Sequence, residues 1–165
     1  MKILGIDPGT ARLGFALLES YNSNNLYKLL QCGIIETSKF DSEAKRLTEI
    51  RLDLLELINN FTPDILAIEQ LFFFKNLKTV IPVAQARGVV LQLAHESKMQ
   101  IFEYTPLQVK QIITGKGRAE KSEVESFVMA DLGLTEKIRP DDAVDAVAIA
   151  LCFLRSDYQK FVRIP

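Results

Sequence analysis

The sequence predicts an α/β fold, a mixed five-stranded sheet flanked by helices on both faces. Three observations predict it. Strand patterns follow one another through residue 37 with only polar turns between them, which makes an antiparallel start. Helical and strand patterns then alternate through residue 104. The last helical pattern is small and apolar along most of its length, so it must pack against the sheet.

Taken in order, Ile3, Leu4 and Ile6 form a short buried strand that ends in Asp7. Pro8-Gly9-Thr10 supplies a tight turn, and Leu13 to Leu18 returns as the second strand of a hairpin. After the polar turn Tyr21-Asn22-Ser23-Asn24-Asn25, a third strand runs from Leu26 to Thr37, with Leu30, Cys32, Ile34 and Ile35 apolar. From Ser42 a helix is predicted by Leu47, Ile50, Leu54, Leu57, Ile58 and Phe61, and Thr62-Pro63 ends it. Asp64 to Glu69 is a fourth strand and repeats the terminal carboxylate of the first. A long helix is predicted from Thr79 to Ser97, with Pro82 tolerable only in its first turn. Met99 to Tyr104 is the fifth strand, and Thr105-Pro106 opens a short helix through Ile113. Gly115-Lys116-Gly117-Arg118 is a flexible basic loop. Glu120 to Leu132 is helical, with Ser122 and Glu125 as its capping box. Arg139-Pro140-Asp141-Asp142 begins a last helix that reaches Arg155. One domain over 1–155 and a C-terminal tail over 156–165 are expected.

Composition narrows the function classes. The chain has 165 residues, 48% hydrophobic and 25% charged, as in an ordinary globular protein. Cys32 and Cys152 form neither a disulfide framework nor a metal spacing, and both are expected as buried free thiols in a reducing cytosol. Asp7 interrupts the first apolar run, so no signal peptide is predicted. The longest uncharged apolar run, Ala146 to Leu154, falls far short of the ~20 residues of a membrane span, so no membrane partner is expected. His95 is the one histidine, which excludes a histidine-rich metal site. A net charge of −1 and a pI near 5.9 argue against a surface that is basic throughout, and leave room for a local basic face.

The chemistry gathers at carboxylates. Asp7 and Glu69 end two strands that would lie side by side if the first and fourth strands are neighbours. Asp142 and Asp145, three apart, share one face of the last helix at its start. Acidic residues are favoured at any helix start by its dipole. Here the apolar remainder of the helix, Ala146-Val147-Ala148-Ile149-Ala150, pulls that start toward the sheet. Four oxygen donors without histidine or cysteine suit hard cations, Mg²⁺ or Mn²⁺. Such a cluster fits two-metal phosphoryl transfer and leaves the substrate open.

Six segments in order resemble the RuvC family of crossover-junction endodeoxyribonucleases, which have the RNase H-like fold. They are Gly5-Ile6-Asp7-Pro8-Gly9-Thr10 with Gly14-Phe15-Ala16, Ala67-Ile68-Glu69-Gln70-Leu71-Phe72, and Gln85-Ala86-Arg87-Gly88. Pro106 with Val109-Lys110, Gly115-Lys116-Gly117-Arg118-Ala119-Glu120-Lys121, and Asp142-Ala143-Val144-Asp145-Ala146-Val147-Ala148 complete the set. The resemblance implies metal-binding catalytic carboxylates at Asp7, Glu69, Asp142 and Asp145, holding two Mg²⁺ ions, with Mn²⁺ able to substitute. Asp141 is the neighbouring alternative to Asp142, since it too shares a helix face with Asp145. Lys110 and Lys121 match family lysines near the scissile phosphate. Phe72 matches an aromatic on which unpaired bases stack, and Phe73 is the second candidate in the run Leu71-Phe72-Phe73-Phe74. Lys75, Lys78, Arg87, Lys116 and Arg118 are candidate phosphate contacts. The resemblance further implies a cytoplasmic homodimer acting on four-way junction DNA, with the RuvA-RuvB branch-migration complex as partner. The long helix, including Val83, Val90 and Leu91, is the expected dimer surface. Two alternatives stand beside this: an RNA-processing nuclease of the YqgF type, which lacks Glu-Gln-x-Phe, and a junction-binding module without catalysis.

Overall fold

A computed structural model of the chain describes residues 1–21, 26–71, 77–156 and 163–164. Its sheet is built from β1 (Lys2–Asp7), β2 (Arg12–Tyr21), β3 (Leu26–Glu36), β4 (Ile65–Glu69) and β5 (Gln100–Tyr104). A two-residue strand, β6 (Arg163–Ile164), pairs antiparallel with β5. The strand order is β3-β2-β1-β4-β5-β6. β1, β2 and β3 pair antiparallel, whereas β4 lies parallel to both β1 and β5. The five predicted strands thus form the mixed sheet. Residues 163–164, within the segment expected as a tail, pair at its edge.

Alternation along the strands divides the core in two. Leu4 and Ile6 of β1, Leu13 and Leu17 of β2, and Leu66 and Ile68 of β4 pack with Ile50, Leu54, Val90 and Leu93. Those last four belong to α1 (Glu43–Phe61) and α2 (Leu77–Glu96). Ile3, Ala16, Ile65 and Ala67 face the opposite way, toward α5 (Asp141–Arg155), with α3 (Pro106–Thr114) and α4 (Lys121–Leu132) beside it. Residues 3, 5 and 7 share one side of β1, and 65, 67 and 69 share one side of β4. The same period therefore sends Asp7 and Glu69 to the side covered by α5.

Glycines set how closely α5 lies on the sheet. A Cβ on Gly5 would stand 2.3 Å from the Ala146 carbonyl oxygen and 2.7 Å from the Ala150 methyl. A Cβ on Gly14 would stand 2.1 Å from the Asp142 carbonyl oxygen. Neither position has room for any side chain.

Local chemistry places the helix ends. The Ser42 hydroxyl accepts from the Lys45 N–H at 3.3 Å, and Thr62, left-handed at φ 47°, ends α1 before Pro63. The Thr105 hydroxyl accepts from the Gln108 N–H at 3.1 Å, while the Gln108 side-chain oxygen accepts from the Thr105 N–H at 2.8 Å. Two expectations need correction. α2 begins at Leu77, so Pro82 sits inside the helix, beyond the first turn, and forgoes one hydrogen bond. In α4 the cap is Glu120, whose N–H donates to the Glu123 carboxylate at 3.0 Å. Ser122 lies within the helix and Glu125 bonds Lys137 and Arg139 instead. Cys152 is buried and Cys32 half-buried, both as free thiols. Among the described residues, no helix is long and apolar enough to cross a membrane.

Candidate active site

β1 and β4 are in register from Ile3 with Ile65 to Ile6 with Ile68, so Asp7 and Glu69 follow at the same end of adjacent strands. Asp7 also pairs with Gly14 of β2, and Gly14 is where the first turn of α5 touches the sheet. That contact brings Asp142 and Asp145 over the ends of β1 and β4. Four carboxylates from three elements therefore share one edge.

They act on one another electrostatically. Burial above all, then the charges of Glu69, Asp145 and Asp142, push the Asp7 carboxyl up to about 7, with Lys121 opposing. Glu69 is also raised, by burial first and by Asp145, while a hydrogen bond from Asp7 and the charge of Lys121 act the other way. The Lys121 ammonium donates to Asp145 at 2.8 Å, and that bond raises the lysine's own proton affinity. Asp141 is differently placed: it is exposed and takes the Arg139 guanidinium at 3.1 Å. Among the described residues, no three Asp, Glu, His or Cys side chains converge as a metal cage. Asp145 is turned to Lys121 instead.

Hollows adjoin this edge on both sides of Glu69. One, of about 150 Å³, is lined by Glu69 together with Pro106, Val109, Lys110, Lys121 and Asp145. Another, of about 230 Å³, is bounded by Asp7, Pro8, Glu69, Gln70, Leu71 and Pro106. Glu69 and Pro106 line both hollows. Lys110, half-buried, and Lys121, exposed, reach the first from α3 and α4. Sequence reasoning took Pro106 into the family pattern without a role. Its place at the first turn of α3 was the available signal, because that turn faces the end of β4.

The other predicted positions divide. Lys116 and Arg118 are exposed in the loop before α4, where Lys116 meets Glu123 at 3.0 Å. Arg87 is not free for phosphate: its guanidinium pairs with Glu103 of β5 beneath α2, and its buried Nε has no hydrogen-bond partner. Burial lowers the proton affinity of that guanidinium. Arg87, expected as a DNA contact, is thus held against Glu103 rather than standing free at the surface. Val90 also turns inward, into the core under α2, rather than to a dimer surface. Phe72, Phe73 and Lys75 lie outside the described residues, as does the side chain of Lys78.

With this geometry in hand, comparison with known proteins is informative. The family model of the crossover junction endodeoxyribonuclease RuvC matches residues 3–153. A crossover junction endodeoxyribonuclease RuvC from Halothermothrix orenii is 47% identical, over 92% of this chain and 91% of that protein. Its counterpart from Caldicellulosiruptor saccharolyticus is 45% identical, over 94% and 93%. Thermus thermophilus RuvC in complex with Holliday junction substrate superposes with a TM-score of 0.91 at 33% identity, covering 99% of each chain. The fold is thus RNase H-like, and the chain belongs to the RuvC family of crossover junction endodeoxyribonucleases.

Proposed function

We propose that the protein resolves four-way DNA junctions by paired symmetric nicks that leave 5′-phosphates, with Asp7, Glu69, Asp142 and Asp145 as its metal-binding carboxylates. Family membership supports the junction substrate, and nucleases of this family depend on divalent metal. The single observation that carries the assignment of residues is the electrostatic cluster around Asp7. A carboxyl held near 7 by burial and three like charges retains a proton that a bound cation would displace. The donor set is all carboxylate oxygen, which fits Mg²⁺, with Mn²⁺ as substitute, and its four members suffice for two ions. Bound there, divalent ions would acidify the attacking water and stabilise the leaving oxygen.

The chain's own residues do the rest. The hollow beside Glu69 receives the strand to be cut. Lys121, anchored on Asp145, and Lys110 across the hollow place positive charge where the pentavalent phosphate develops its negative charge. The close approach of Gly14 to Asp142, with that of Gly5 to Ala146 and Ala150, fixes α5 and with it two of the four proposed ligands. Asp142 rather than Asp141 is assigned, because Asp142 adds to the field at Asp7 whereas Asp141 is committed to Arg139.

Two-fold symmetry of the junction calls for two sites, hence a homodimer. Ile81, Ala84 and Gly88, at i, i+3 and i+7, form an exposed stripe on α2, with open space over Gly88. This stripe replaces Val90 as the proposed dimer contact. A motor that migrates the junction, the RuvA-RuvB complex, is the proposed further partner, and the cytoplasm the proposed site of action. One nuclease unit over 1–155 carries all four carboxylates. Mapping of end-labelled strands from a synthetic four-way junction tests the proposal. Nicks at matching positions in opposite strands with Mg²⁺, and none with EDTA or on linear duplex, are expected. Equal cutting of linear duplex would reject junction specificity.

A further inference from the structure

We infer that Lys39 and Phe40 form a second DNA contact on the catalytic edge, flanking the position of cleavage. This rests on the junction-nuclease proposal. β3 ends at Glu36, which pairs with Arg12, so the segment that follows emerges at the same sheet edge as Asp7. β2 alone separates β3 from β1, so the segment starts about 10 Å to the side of Asp7.

The segment is fixed against the turn that follows Asp7. The Thr37 N–H donates to the Ala11 carbonyl at 3.1 Å and the Thr37 hydroxyl to the Thr10 carbonyl at 2.5 Å. Arg46 Nε then donates to the Thr37 hydroxyl at 2.8 Å, tying the start of α1 to the same point. On this held loop Phe40 is 88% exposed, with the Lys39 ammonium over its ring at 5.2 Å from the centroid. Neighbouring cations are committed: Lys45 to Asp41 at 2.9 Å and Arg12 to Glu36 at 3.2 Å. Among the described residues, Lys39 has no carboxylate partner. An exposed ring and an uncommitted ammonium, side by side on a fixed loop, match a nucleic acid strand. The base stacks on Phe40 and the adjoining phosphate meets Lys39.

The test uses the full chain, in EDTA so that nothing is cut, with a junction carrying a fluorescent adenine analogue beside the cleavage position. Phe40→Ala is expected to weaken binding about fivefold or more and to abolish the fluorescence change, and Phe40→Trp to restore both. Lys39→Ala is expected to reduce the slope of log affinity against log salt by about 0.9. Thermal melting controls for folding. Wild-type affinity and fluorescence in Phe40→Ala would overturn the inference while leaving the nuclease proposal intact. A wild-type chain that ignores the junction would overturn both.

Discussion

Asp7 is held near 7 in the folded chain against about 3.8 when unfolded, and the sign of that shift has consequences. Between those values the folded state keeps a proton that the unfolded state has lost. The contribution of Asp7 to the stability of the metal-free protein therefore falls as pH rises from about 4 to 7 and levels off above. Asp7→Asn removes both the buried charge and its repulsion. The variant should melt higher than wild type at pH 8 without metal, and its melting temperature should depend less on pH across that window. A lower melting temperature for Asp7→Asn would show that the carboxylate supports the fold. Mg²⁺ should bind more tightly as pH passes 7, since the proton competes with it; calorimetric titration at pH 6 and pH 8 checks this. Lys121 is proposed to act in catalysis by stabilising charge at the phosphate or by helping a proton move. Lys121→Ala should slow cleavage about 10²- to 10³-fold with junction affinity little changed, as separate binding and single-turnover assays would show.

Element by element, the fold turns on how closely α5 lies on β1 and β2. Gly14→Ala must displace either β2 or the first turn of α5, because its methyl would overlap the Asp142 carbonyl. A loss of about 1–3 kcal/mol in stability is expected, with a fall in metal affinity. Denaturant titration and metal titration of Gly14→Ala beside wild type check it. Strands and helices were legible in the sequence because alternation and three-to-four spacing are local signals. Residues 3, 4 and 6 of β1 and 50, 54 and 58 of α1 carried them plainly. The interior place of Pro82, the cap at Glu120 and the returning strand 163–164 were not legible. Each depends on neighbours distant in the chain or on which of two adjacent caps closes first.

At the scale of the whole molecule, charge is nearly balanced, and the proposed attraction for DNA rests on exposed local groups such as Lys116 and Arg118. Junction affinity should fall linearly on a log–log plot with salt, and a flat response between 50 and 200 mM would contradict phosphate contact. That the four carboxylates share one edge was legible because two strand ends and one helix start repeat the same acidic punctuation. The commitment of Arg87 to Glu103 was not, since nothing in a linear sequence shows that α2 lays that guanidinium over β5. The proposed symmetric cutting calls for a second copy, and Ile81→Asp on the proposed α2 stripe should then yield monomers that bind junctions weakly in sedimentation and binding assays. The most direct measurement of the central claim is cleavage of a four-way junction by wild type and Asp7→Asn, with Mg²⁺ and with EDTA. Paired nicks by wild type with Mg²⁺ alone, and a variant that binds the junction without cutting it, are predicted. Cutting by Asp7→Asn at the wild-type rate would contradict the account.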